Sequence, residues 1–244
     1  MTVLEVRDVS GGYGAVQILS DVSLSAAVGE VTCLFGPNGC GKSTLLKSIA
    51  GALPLWSGTV TLDGTDLTGQ PSHKVLSHGI ALMPQGGGVF PGLTVKENLR
   101  MGGYTIKVRR ELDARIEEVL DEFPRLRERL SVAAGSLSGG EQMLVSIARA
   151  LILQPRFLLF DEPSAGLSPK LTTDVLDRTA ALAERGIGVL MIEQNIKQAL
   201  RVADKVYVLV GGRNRYEGRP GDINSDKELM HLYLGVHKDE GDPQ

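Results

Sequence analysis

Three short stretches carry residues whose chemistry depends on their spacing. The first is Gly36-Pro37-Asn38-Gly39-Cys40-Gly41-Lys42-Ser43-Thr44, which fits G-x-x-x-x-G-K-[ST] with Gly36, Gly41, Lys42 and Ser43 at the required places. Glycines in such a loop let successive backbone N–H groups turn inward and form a nest for anionic oxygens. An ammonium at Lys42 is placed to reach the β and γ phosphates of a nucleotide, and a hydroxyl at Ser43 to ligate Mg²⁺. The second stretch is Asp161-Glu162, directly after the apolar run Phe157-Leu158-Leu159-Phe160. An Asp there can hold Mg²⁺ directly or through water. The adjacent Glu can accept a proton from an attacking water, or orient it. The third is Ser138-Gly139-Gly140-Glu141. Ser followed three residues later by Glu is a capping box. Two glycines are costly in a first turn that needs only a cap. They leave the N–H groups there open to an anion.

The elements that must position these groups are legible around them. Val31-Thr32-Cys33-Leu34-Phe35 reads as a buried strand before the phosphate loop, and Ser43 to Ala50 as a helix after it, ended by Gly51. Phe157 to Phe160 reads as another buried strand, which puts Asp161 and Glu162 at a strand carboxyl end, where open α/β sheets bind ligands. Ile187 to Ile192 is a third such strand, so Glu193-Gln194-Asn195 is expected to face the same crevice. Ile80-Ala81-Leu82-Met83 is a fourth, stopped by Pro84 and followed by Gln85 and the flexible joint Gly86-Gly87-Gly88.

Residues 3–9 and 16–28 read as antiparallel strands, because Val22, Leu24 and Ala26 alternate with Ser23 and Ser25. Gly58 to Leu62 alternates likewise, and Asp63-Gly64 signals a hairpin turn. Tyr13, in Gly11-Gly12-Tyr13-Gly14, has two open readings: a ring that stacks on a base, or a turn tyrosine packed on the sheet. From about 94 to 135 the pattern is helical, with Leu112, Ile116, Val119, Leu120 and Phe123 on one face and Pro124 as a stop. This reads as a subdomain set between glycine-rich joints. Ser168-Pro169 opens a helix as cap and first-turn proline. Val206 to Val210 and Arg213 to Glu217 form a closing hairpin, a last helix covers about 226–234, and a polar tail runs from His237 to Gln244.

Composition narrows the class. The chain has 244 residues, enough for one large domain or two small ones, and its net charge of −3 argues against a nucleic-acid partner. Cys33 and Cys40 lack metal-ligand company, which suits a reducing cytoplasm. The N-terminus shows no secretory leader, and no apolar run approaches the roughly 18 residues of a membrane span. His73, His78, His231 and His237 have no ligand spacing and are expected on the surface.

The phosphate loop, Gln85, Leu137-Ser138-Gly139-Gly140-Glu141-Gln142 and Phe157 to Pro163, in that order along nearly the whole chain, resemble the ATP-binding-cassette (ABC) ATPases. Met83-Pro84-Gln85, Val89 to Val95, Ser164 to Pro169 and Ile192-Glu193-Gln194-Asn195 look most like the LivF-type ATPase subunit of branched-chain amino-acid importers. The resemblance implies an α/β fold: a P-loop NTPase (RecA-like) core, an N-terminal antiparallel β subdomain and an inserted helical subdomain at about 86–153. All of it lies within a single domain of residues 1–236, followed by the tail 237–244. It implies that Tyr13 stacks on adenine. Lys42 and the loop N–H groups hold the phosphates. Ser43, Gln85 and Asp161 serve Mg²⁺ and the attacking water, and Glu162 is the general base. Ser138, Gly139, Gly140 and Glu141 belong to the signature that meets ATP on an opposite cassette.

The implied cofactors are ATP and Mg²⁺. The implied partners are a second ATPase subunit, identical or different, two membrane-spanning permease subunits and, indirectly, a solute-binding protein. The implied place is the cytoplasmic face of the membrane. Two departures stand out. Gln194 replaces the usual switch histidine, and an amide can bond a γ-phosphate but carries no positive charge. Gly86-Gly87-Gly88 stands where relatives usually carry larger or charged residues. The same cassette could serve a urea or amide importer, a lipid-type exporter, or a soluble ABC protein acting on ribosomes or DNA repair. The compact single cassette argues against the last.

Overall fold

The computed structural model describes residues 2–223. The predicted helix near 226–234, the tail, His231 and His237 lie outside them. Among the described residues ten strands and eight α-helices follow in order: β1 Val3–Tyr13, β2 Val16–Ala27, β3 Val31–Phe35, α1 Lys42–Ile49, β4 Leu55–Leu62, β5 Thr65–Asp66, α2 Ser72–Ser77, β6 Ile80–Met83, α3 Val95–Gly102, α4 Arg109–Glu122, α5 Pro124–Arg127, α6 Gly139–Leu151, β7 Phe157–Asp161, α7 Pro169–Glu184, β8 Gly188–Ile192, α8 Ile196–Ala199, β9 Lys205–Val210 and β10 Arg213–Gly218.

They build two sheets. The smaller is antiparallel, in the order β2-β1-β4-β5, and the larger runs β10-β9-β3-β8-β7-β6. In the larger sheet β6, β7, β8, β3 and β9 are mutually parallel and only β10 is antiparallel. Every residue of β3, β7 and β8 is buried, as a parallel sheet covered on both faces requires. Alternation along these strands divides their side chains between two cores. Cys33, Phe35, Leu158, Phe160, Val189 and Met191 join one core with the helices α3, α4, α6 and α7. Leu34, Phe157, Leu159, Leu190 and Ile192 join the other, with α1 and the inner face of the small sheet. Each fully buried Leu or Phe contributes roughly 1.5–3 kcal/mol of transfer free energy, so this shared sheet anchors both cores.

Register then lines up the strand ends. Met83 pairs with Phe160, Asp161 with Ile192, and Ile192 with Leu34. The residues that follow these strands therefore leave from one edge, side by side.

Four details differ from the sequence expectation. β1 continues through Gly11, Gly12 and Tyr13, with register shifts at Val9, Gly11 and Gly12 that let it follow β2 to the turn. β4 begins at Leu55, before Gly58, because shifts near Ser10 and Gly11 keep it paired with β1. Pro124 ends α4, as predicted, yet also sits at the first position of α5, where its fixed φ suits a new helix. Ser168 stands at the N-cap of α7 but makes no side-chain cap bond. The Asp63-Gly64 turn is as expected, with both residues at positive φ (49° and 77°), the type I′ hairpin geometry.

Candidate functional site

The phosphate loop leaves β3 at Gly36. A Cβ there would lie 2.1 Å from the Leu209 carbonyl oxygen, at a φ of 149°, so only glycine lets the chain turn this tightly against β9. The loop ends at Gly41, the N-cap of α1, which is left-handed and offers no side-chain cap. The N-cap thus offers no side-chain acceptor to the first-turn N–H groups of α1, where an anion can take that place. Lys42 is only 6% exposed. Its Nζ donates to the carbonyls of Gly36 at 2.7 Å and Pro37 at 3.1 Å. Among the described residues no carboxylate forms an ion pair with it. Its third contact is Cys40 Sγ at 3.9 Å, and a buried ammonium with only neutral acceptors is poised for an anion. Cys40 and Thr44 are buried beside it, while Asn38 and Gly39 are exposed at the mouth. Burial pushes the Cys40 thiol up, and Lys42 opposes that shift.

The carboxylates meet this loop from β7. Ser43 Oγ donates to Asp161 Oδ1 at 2.8 Å. Burial raises the Asp161 pKa, with the Ser43 bond acting against it and the charge of Glu162 adding to it. Glu162 follows at φ 55°, a left-handed backbone for a non-glycine residue. Such strain costs on the order of 1–3 kcal/mol and persists only where neighbours fix it. Here the Glu162 N–H donates to Ile192 O at 3.0 Å. Its carboxylate is 8% exposed as a residue, and one oxygen, Oε2, accepts from both Gln85 Nε2 at 2.7 Å and Gln194 Nε2 at 2.8 Å. Residues from the ends of β6, β7 and β8 thus converge on a single carboxylate beside the loop.

An oxygen-donor cation fits here. Among the described residues no group of three His, Cys, Asp or Glu side chains gathers as a metal cage. Mg²⁺ needs none, since one or two protein oxygens plus substrate phosphates and water complete its shell. The hydroxyl–carboxylate pair of Ser43 and Asp161 is such a donor set.

The remaining predicted residues lie apart from this cluster. Ser138 caps α6 in a complete capping box: its Oγ and N–H both donate to Glu141 Oε2, at 2.8 and 2.9 Å. These bonds hold the Glu141 carboxyl below its ordinary range. Gly140 lies against α7, where a Cβ would sit 2.9 Å from Leu171. Ser138 and Gly139 are exposed, and the hydrogen bonds of Ser138 to Glu141 stay within this turn. Tyr13 ends β1 opposite Val16 and is 47% exposed, so it is not packed away on the sheet. His73 and His78 are exposed as expected, and Cys33 and Cys40 are free thiols.

Sequence reasoning missed one group. Glu193 was expected to face the crevice with Gln194, but it is 2% exposed and turned towards Ser164. An acid directly after an apolar strand was the only available signal, and it does not say which way the side chain turns.

Known proteins resemble this chain over most of its length. The family model described as ABC transporter matches residues 19–165. The high-affinity branched-chain amino acid transport ATP-binding protein BraG of Pseudomonas aeruginosa is 40% identical over 96% of this chain and 100% of its own length. A probable branched-chain amino acid transport ATP-binding protein, LivF, of Archaeoglobus fulgidus is 39% identical over 96% and 99%. The lipopolysaccharide export system ATP-binding protein LptB of Haemophilus influenzae is 34% identical over 96% and 98%. A solved ATP-binding cassette of an ABC transporter, in its ADP conformation, superposes with a TM-score of 0.85 at 32% identity, covering 96% of this chain and 99% of that one. With its phosphate loop, its capped glycine signature and its carboxylate pair on this sheet, the chain belongs to the ATP-binding proteins of ABC transporters, the ATPases that couple hydrolysis to transport.

Proposed function

We propose that this cassette binds Mg·ATP on the loop Gly36 to Thr44 and energises an importer of branched-chain amino acids or a related small polar solute. The observation that carries the catalytic part is the convergence of Gln85 and Gln194 on Glu162 Oε2, beside Ser43 bonded to Asp161. In this reading Lys42 leaves its loop carbonyls for the β and γ phosphates. The backbone N–H groups of the loop, Pro37 excepted, surround them, and Tyr13 stacks on adenine. Ser43, Asp161 and the Gln85 carbonyl oxygen hold Mg²⁺, which when bound neutralises phosphate charge. Glu162 holds the attacking water and takes its proton, while Gln85 and Gln194 fix the carboxylate's orientation. Gln194 also reaches the γ-phosphate as a neutral donor, so this site works without the imidazolium that a histidine would provide.

Exposure of Ser138 and Gly139 supports a head-to-tail pair in which the signature of one cassette covers ATP on the other. That second cassette is the same chain or a different one. The groove between the loop after Gln85 and the helical segment is lined by the exposed Phe90, Met101 and Tyr104 together with Leu76 and Arg149. Its apolar floor supports docking of two permease subunits, with a solute-binding protein on the far side of the membrane. Among the described residues no helix is long and apolar enough to cross a membrane, which fits a subunit held at the cytoplasmic face by its partners.

The similarity to BraG and LivF favours amino-acid import. The similarity to LptB favours a second reading, a lipid-type exporter built on the same ATPase. Purification of the tagged chain from native membranes in mild detergent separates them. Two permeases, a second cassette and uptake of a branched-chain amino acid on reconstitution support import. Partners that extract a lipid support export, and a set without membrane proteins contradicts both.

A further inference from the structure

Glu193 is a buried acid outside the cluster that meets the nucleotide. It is the first residue past β8 and is 2% exposed. Its Oε1 accepts from the Ser164 N–H at 2.9 Å. Its Oε2 accepts from Ser164 Oγ at 2.8 Å and from the Gln194 N–H at 3.2 Å. No Lys, Arg or His forms an ion pair with it among the described residues. All three donors belong to the two segments that present Glu162 and Gln194.

The connection to Glu162 is short. Ser164 is two residues further along and is itself 8% exposed. The Glu162 carbonyl accepts from the Ala165 N–H at 3.1 Å, and the Glu162 N–H reaches Ile192 O at 3.0 Å. The turn from Asp161 to Ala165 is therefore closed on itself by the Ala165 bond and tied to the end of β8 at Glu162 and at Ser164. This tie accompanies the left-handed φ of 55° at Glu162. A strained backbone of that kind stays in place only when its surroundings over-determine it.

We propose that Glu193 is a positioning residue for hydrolysis: through Ser164 it fixes the turn that presents Glu162 to Gln194. It touches no nucleotide in this account. The inference rests on Glu162 as the base, and a misplacement of about 1 Å in such a group can lower turnover about 100-fold.

The test measures steady-state ATP hydrolysis by the full chain in the complex it purifies with, and the Kd of a fluorescent ATP analogue, for Glu193→Ala, Glu193→Gln, Ser164→Ala and the double variant. Glu162→Gln is the reference. Glu193→Ala is expected to lower kcat by about 10- to 100-fold with Kd and KM within about twofold. Glu193→Gln recovers most of the rate, because its carbonyl still accepts from the Ser164 N–H and its amide can donate to Ser164 Oγ. Ser164→Ala shows a smaller loss of the same kind. The double variant is no slower than Glu193→Ala, as two members of one contact require.

A Glu193→Ala rate within about twofold of the parent overturns the proposal, as does a matching loss of nucleotide affinity or full additivity with Ser164→Ala. Should Glu193→Ala fail to fold, an unchanged kcat in Ser164→Ala overturns it equally. Undiminished turnover in Glu162→Gln removes the base itself, and that result is distinct from a failure confined to Glu193 and Ser164.

Discussion

Replacing Lys42 by methionine separates the lysine's part in the fold from its part in binding. The side chain is 6% exposed, and its ammonium has two neutral carbonyl acceptors, Gly36 O at 2.7 Å and Pro37 O at 3.1 Å, with a weak third contact to Cys40 Sγ at 3.9 Å. Methionine keeps the volume of the stem and removes the charge. The fold loses two hydrogen bonds to a cation, each worth about 1.5–3 kcal/mol. It also escapes the desolvation of a buried, unpaired ammonium, which costs several kcal/mol. The two effects offset each other, so the unliganded variant is expected to melt within about 2–4 °C of the parent, which is roughly 1 kcal/mol for a chain of this size. Binding exchanges the two carbonyl acceptors for charged phosphate oxygens, and a gain of about 1.5 kcal/mol per exchanged contact amounts to about 3 kcal/mol, or roughly a 100-fold rise in Kd when the ammonium is lost. Thermal unfolding without nucleotide and a titration with a fluorescent ATP analogue measure both. A large fall in melting temperature with an unchanged Kd would refute the reasoning, because it would make Lys42 a structural pin of its loop.

Further outcomes follow from the same site. Burial raises the Asp161 pKa, so its ionised form, the one proposed to serve Mg²⁺, is lost at a higher pH than for an ordinary aspartate. Mg·ATP affinity is therefore expected to weaken as pH falls through that raised value, and isothermal titration should show this slope vanish in Asp161→Asn. The sign for the unliganded fold is opposite: the folded chain holds the proton more tightly than the unfolded chain, so this group's contribution to stability falls as pH rises through the same range. Tyr13 is 47% exposed, so Tyr13→Ala should leave the melting temperature nearly unchanged. It should weaken ATP binding by about 0.5–1.5 kcal/mol, the usual size of a ring-stacking term, and an equal loss of affinity for inorganic triphosphate would contradict stacking on the base.

What was legible in the sequence was local. The phosphate loop announces itself because Gly36, Gly41, Lys42 and Ser43 act within nine consecutive residues, between an apolar run and a helix. The capping box at Ser138 and Glu141 and the turn at Asp63-Gly64 are short-range signals too, and both are present. The buried strands β3, β6, β7 and β8 showed as apolar runs, and their common edge followed from the α/β reading. Contacts across the chain left no such trace. Gln85 and Gln194 stand 77 and 32 residues from Glu162, and composition alone gives no reason to place both amides on one oxygen. Glu193 was misread for the same reason, since its partner Ser164 is 29 residues away. The bulged course of β1 past Val9 depends on pairing with both β2 and β4, which no single stretch encodes.

Glu162, oriented by the amides of Gln85 and Gln194, is the base on which the proposed ATP hydrolysis depends. The most direct measurement is phosphate release under saturating Mg·ATP by the purified complex carrying Glu162→Gln, with nucleotide binding measured on the same sample. Loss of a positioned general base is expected to lower turnover by at least about 100-fold while Kd stays within about twofold. Turnover at the parent rate with intact binding would contradict the account and move the base elsewhere in the site.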